Sequence, residues 1–167
     1  MIDHGLIVRP PRVEGATIAP DSITELLAAW RAAERRWERP ASANEVRAAA
    51  LEVIRTWTEY QDGALADGPP EFMLVADDEG VYVAATVGVE VCLGYRRETL
   101  IGMKISDLAV PGIGESTSAQ WAAFLAAGRQ DGTFRLLAVD GRIVSFRYQA
   151  RAHHPVPGYH LSRLWPE

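Results

Sequence analysis

The residues of this chain whose side chains could do chemistry are few: four histidines, one cysteine and several aspartates in turns. His153 and His154 are adjacent and precede Pro155. Neighbours on an extended segment point to opposite faces and chelate poorly, so the pair is expected at a loop edge and no metal site is predicted. His160 falls in a stretch, "YHLSRLW", that reads as a strand. Alternation places it opposite Tyr159, Leu161 and Arg163, as a sheet-surface residue. Asp77, Asp78 and Asp140 sit in turn sequences. Cys92 lies in a short apolar helix and reads as a small buried hydrophobe. No nucleophile, base and orienting group stand at recognisable spacing, and no phosphate-cradling glycine motif is present. No catalytic residues are predicted, and the chain is not expected to be an enzyme.

Composition narrows the partners. The net charge of −5 argues against a nucleic-acid backbone. One cysteine permits neither an intrachain disulfide nor a multi-cysteine zinc site, and it suits a reducing cytoplasm. No apolar run reaches membrane-spanning length, so no membrane partner is expected. The N-terminus breaks at Pro10-Pro11 and does not read as a signal peptide.

The elements that must position these residues follow from periodicity. Residues 1–20 read as an irregular arm. Residues 21–63 read as two helices joined by about three residues, hence an antiparallel hairpin. Ile23, Leu26, Trp30 and Trp37 mark the stripe of the first helix. The second starts at a capping box, Ser42 to Glu45, and carries Val53 and Trp57, with Gly63 at its exit. Residues 64–71 are a linker by composition. From 72 to 166 the order is strand, turn, strand, short helices, a longer helix at 116–128, then three strands. Asp140-Gly141 is a strong hairpin turn between two of them. The class is α+β: one antiparallel five-stranded sheet with helices on one face.

The segment "LGYRRETLIGMKISDL" at 93–108 is ordered but carries no reactive set. Together with "VADDEGVYVAAT", "WAAFLAAG", "DGTFRLLAVDGRIVSFRYQARAH" and "PGYHLSRLW", in that order, it resembles a PAS domain, a sensor module of bacterial signalling proteins. The resemblance implies that Gly94 and Gly102 reverse the chain so that the segment forms a pocket wall. It also implies a ligand pocket bounded by Cys92, Ile105, Leu108, Trp121, Phe124, Leu136, Phe146 and Tyr148, with Thr86 as a polar handle. Members of the family often have an asparagine where this chain has Thr86, which puts the usual polar clasp in question. Light-sensing members carry a reactive-cysteine segment that is absent here. Haem-binding members place a histidine on the long helix, which here has none. No cofactor is therefore predicted; a non-covalent flavin beside Trp121 is disfavoured, since such a tryptophan more often packs a core.

The expectation is a cytoplasmic sensory module that binds a small, mainly apolar or aromatic ligand. It would act as a homodimer, with Ile23, Leu26, Trp30, Trp37, Val53 and Trp57 at the interface, or by docking a downstream signalling protein. Two alternatives stand beside it: a ligand-free dimerisation or docking module of the same fold, and a small α+β isomerase-like enzyme.

Overall fold

The computed structural model describes residues 42–111 and 114–167. The arm at 1–20 and the first predicted helix, with Ile23, Leu26, Trp30 and Trp37, lie outside the described residues. The chain divides into two compact units at Gly68/Pro69.

In the first unit, α1 spans Ala43–Leu65. The predicted capping box is present: the Ser42 hydroxyl accepts from the Glu45 amide at 3.3 Å, and the Glu45 carboxylate accepts from the Ser42 amide at 2.8 Å. The helix continues two residues past Gly63, which is tolerated inside it rather than ending it. Ala49, Ala50, Val53, Ile54 and Trp57 form one buried stripe, while Arg55 and Glu59 pair on the exposed side. Val53 and Trp57, the described members of the predicted interface, are thus already buried within a single chain, at 2% and 7% exposure.

The second unit is the α+β domain. Strands β1 (Phe72–Asp77) and β2 (Tyr82–Ala85) are followed by short helices α2 (Gly88–Leu93) and α3 (Arg97–Leu100) and a 3-10 turn (Ile105–Leu108). Then come the longer helix α4 (Gly114–Ala127) and strands β3 (Arg129–Leu137), β4 (Ile143–Arg151) and β5 (Tyr159–Pro166). All pairings are antiparallel, in the order β2-β1-β5-β4-β3. The last strand therefore occupies the centre of the sheet.

One sheet face and the short helices share a core. Phe72, Leu74, Leu136, Phe146 and Leu164 from the strands meet Val89, Leu93, Leu100 and Leu108 from the segment between β2 and α4. Phe72 and Phe146 pack edge-to-face at 5.2 Å, a favoured aromatic geometry. The 93–108 segment turns as its glycines require. Gly94 ends α2 at φ 76°, and Gly102 stands at φ 94°. Both values lie in the left-handed region where a Cβ is penalised. Within the segment, Leu93 and Leu100 are fully buried, whereas Tyr95 and Ile105 are only half-buried.

Thr86 supplies the clasp at the end of β2. Its hydroxyl accepts from the Met73 amide at 2.8 Å, and its own amide donates to the Met73 carbonyl at 3.0 Å. Both residues are almost fully buried. Thr86→Val keeps the shape but strands the Met73 donor. An unsatisfied buried donor costs about 1–3 kcal/mol, so urea unfolding is expected to show a loss of about 2 kcal/mol with an unchanged slope. A loss under about 0.5 kcal/mol would mean that the hydroxyl is not the donor's essential partner.

Among the described residues no helix is long and apolar enough to cross a membrane.

Candidate functional site

One face of the sheet and α4 border a half-open cavity of about 90 Å³. Trp121 and Phe124 form the helix side, their rings 5.3 Å apart. Leu74, Ala76, Phe134, Leu136, Tyr148, Ala150, His160, Ser162 and Leu164 form the sheet side, and Ile105 closes one end. In β4, Phe146 and Ala150 are buried and Arg147 is exposed, while Val144 and Tyr148 are half-buried like Ser145 and Gln149.

Five of the predicted pocket residues line this cavity: Ile105, Trp121, Phe124, Leu136 and Tyr148. The other four do not. Leu108 and Phe146 are wholly buried in the main core, and Cys92 packs half-buried against it. Thr86 is spent on the Met73 clasp. The space at Phe146 is filled because Phe72 packs edge-to-face against it from β1. The cavity consequently lies further toward α4 and β5 than the sequence suggests.

The site carries no net charge among the described residues. Its polar groups are Gln120, Gln130, Ser162, the tyrosine hydroxyls and His160. Burial pushes Tyr82 and Tyr148 upward, with Asp107 and Asp131 respectively reinforcing the shift, so both phenols stay neutral. Burial also pushes up the Cys92 thiol, which keeps it protonated and unreactive.

The sequence reading missed the polar centre of the site. His160 is buried at 2% exposure, not on the sheet surface. Its alternation with Tyr159 and Leu161 holds, but it lies on the face that α4 covers. Trp121 and Phe124 meet its ring edge-to-face at 5.3 Å and 6.0 Å. His160 Nε2 lies 2.8 Å from Asp78 Oδ1, and its Nδ1 accepts from the His153 amide at 3.1 Å. The Trp121 indole N–H donates to the Asp78 carbonyl at 3.1 Å. His153 is not on a strand: it turns at φ 55°, and its Nδ1 accepts from the Gly158 amide at 3.0 Å. The pairing of His160 with Asp78, 82 positions apart, has no local sequence signal.

Asp78, His153 and His160 each offer a ligand atom within 4.8 Å of one another, which raises a metal reading. The hydrogen bonds oppose it. In both histidines Nδ1 is an acceptor from a backbone N–H, so the proton of the neutral ring sits on Nε2. The His160 nitrogen turned toward Asp78 is therefore an N–H group, whereas a metal ligand needs a lone pair there and a donor at Nδ1. The same bonds engage both nitrogens of His160, so neither presents a free lone pair to the cavity.

No family model matches the sequence, and no curated protein is a significant match to it. Solved structures match in fold. A PAS domain from Colwellia psychrerythraea superposes with a TM-score of 0.55 at 22% identity, covering 64% of this chain and 94% of that one. A PAS domain of an HTR-like protein from Haloarcula marismortui does so at 0.55 and 16% identity, covering 70% and 96%. A domain of a sensory box sensor histidine kinase/response regulator from Geobacter sulfurreducens gives 0.53 at 16% identity, covering 66% and 95%. With the strand order, the short helices between β2 and α4, and the cavity under α4, these likenesses establish that the α+β unit of this chain has a PAS-type fold.

Proposed function

We propose that the protein is a sensory or signalling module whose cavity takes a small, neutral, mainly apolar molecule. The observation that carries this reading is the cavity itself: an uncharged space between α4 and the sheet, with an aromatic wall and a few amide and hydroxyl groups. Its small volume favours a small occupant. At about 90 Å³ it is smaller than the roughly 150 Å³ engineered cavity that accepts benzene. It is far below the roughly 300–1,000 Å³ of sites for larger ligands. A space of this size disfavours a flavin or a haem, and the described part of α4 offers no axial histidine. The absence of a free base at His160 favours binding over catalysis, which weighs against the isomerase-like alternative.

Output through a second copy or a downstream signalling protein belongs to the same proposal. It is supported by the fold and by the sensor-kinase context of one structural neighbour. Because Val53 and Trp57 are buried in one chain, a homodimer would be built on other parts of the helical segment. A reducing, cytoplasmic setting is proposed from the single free cysteine.

Native mass spectrometry of the purified full chain tests ligand and assembly together. The expected result is a colourless dimer that carries a small additional mass. A bare mass, together with failure of any small apolar probe to bind, would replace the sensor reading by the docking-module reading. A visible band scaling with protein would overturn the size argument.

A further inference from the structure

His160 is a buried imidazole whose two ring nitrogens are committed to two different connections of the fold. Nδ1 accepts the His153 amide at 3.1 Å, on the β4–β5 loop. Nε2 donates to the Asp78 carboxylate at 2.8 Å, on the β1–β2 turn. Trp121 of α4 is tied to that same turn through its indole N–H at 3.1 Å from the Asp78 carbonyl. Two loops and the helix wall of the cavity thus meet at one side chain.

We propose that this imidazole is a proton-operated latch: neutral His160 holds the β4–β5 loop and the β1–β2 turn together, and a proton on Nδ1 drives the loop away. Only the neutral ring fits. A proton on Nδ1 would set one N–H against the His153 N–H, removing a hydrogen bond and opposing two donors. His153 is held at φ 55°, a conformation that a non-glycine residue keeps only when its surroundings impose it. Once its amide is released, the backbone is free to relax, and the Gly158 bond to its ring goes with it.

The charges around His160 can be named. Asp78 and Asp77, from β1 and its turn, favour the imidazolium, while His153 from the loop opposes it. From α4, Trp121 and Phe124 present neutral rings. Its neighbours on the strands, Ala76, Ala150 and Ser162, are uncharged. Burial is the largest influence, and it lowers the pKa of His160 from the ordinary 6.5. The unfolded chain therefore takes up the proton first, so stability rises with pH across this range. The latch contribution is complete above about 6.5 and is lost as pH falls toward the lowered folded-state value. His154, in the same loop, is also lowered, by burial and then Arg151, and must be separated from His160.

Amide NMR of the full chain, titrated from about pH 8 to about pH 4, tests the proposal. The His153 amide and the Trp121 indole N–H are expected to shift together, with one midpoint below 6.5. After correction for the intrinsic effect of pH, exchange at the His153 amide is expected to be about tenfold faster in the acid form. His160→Gln, uncharged throughout, is expected to abolish both changes, and His154→Gln to retain them. Signals that stay still, that move equally in His160→Gln, or that vanish in His154→Gln would overturn the latch. Should His160→Gln fail to fold, Asp78→Asn decides: removing the carboxylate is expected to move the midpoint to lower pH, and an unmoved or higher midpoint overturns the proposal. The titration needs no ligand, so its outcome is read separately from the cavity proposal.

Discussion

Replacing Ala150 by leucine is expected to abolish binding in the cavity while leaving the protein folded. Ala150 is 5% exposed and lies on the cavity wall of β4, between Gln130 on β3 and Ser162 on β5. Its methyl group also contacts the cluster formed with Phe124 and Ala152. Leucine adds three carbons, and the cavity of about 90 Å³ is the space open to them. Two effects oppose each other. Overpacking costs about 1–3 kcal/mol, whereas filling an existing void gains about 0.5–2 kcal/mol. Here the void already exists, so unfolding free energy should change by less than about 1 kcal/mol. Xenon is the probe, because dry apolar cavities accept it without any hydrogen bond. In the native chain, the methyl groups of Leu74, Leu136 and Leu164 are expected to shift saturably with xenon. In Ala150→Leu the apparent affinity should fall at least about tenfold, since the gas has no remaining volume. No shift in the native chain would mean that side chains close the space. An undiminished shift in the variant would place the xenon elsewhere.

Gly88→Ala is expected to be the most damaging single methyl in the domain. A Cβ at Gly88 would stand 2.0 Å from the Glu71 carbonyl oxygen, 3.0 Å from its carbon and 3.3 Å from the Phe72 Cβ. The first two are backbone atoms at the start of β1, so no rotamer change relieves them. Glu71 is itself fixed by an ion pair with Arg163 on β5, and Phe72 is wholly buried against Phe146. The helix start therefore has to move away from the sheet. Forced overpacking of this kind costs at the upper end of its range, about 3 kcal/mol or more. For a domain of this size that corresponds to a fall in Tm of roughly 10–20 °C. Gly102→Ala is the control. No atom lies within 4 Å of its added methyl, but its φ of 94° penalises any side chain. That cost is about 1–2 kcal/mol. If thermal unfolding shows Gly102→Ala to be the worse of the two, close approach at Gly88 is not what the glycine protects.

Much of both units is written locally. The capping box at Ser42 in the helical unit, and the glycine exit at Gly94 and the turn with Gly141 at φ 85° in the α+β unit, are short-range chemistry, and each is where its residues place it. In β4 the burial of Phe146 and Ala150 follows the local pattern of apolar residues, while Val144 and Tyr148 are only half-buried. Gly63 is the local signal that misleads, because α1 is held beyond it.

The site is only half local. Trp121, Phe124, Leu136 and Tyr148 line the cavity, as the resemblance implies. His160 could not be placed, although its alternation was legible. Alternation says that a strand has two faces; it does not say which face α4 will cover. That is decided by β5 entering the sheet between β1 and β4, the last strand taking the central place. The same closure brings Asp78 within 2.8 Å of a ring 82 residues away and lets Phe72 fill the space expected around Phe146. By itself the sequence determined the elements, their order and the resemblance to a PAS domain, because turns, caps and periodicity act over a few residues. Only the tertiary structure decided where the core leaves a cavity and which polar side chains meet there. Those depend on contacts between segments far apart along the chain, for which no short-range pattern exists.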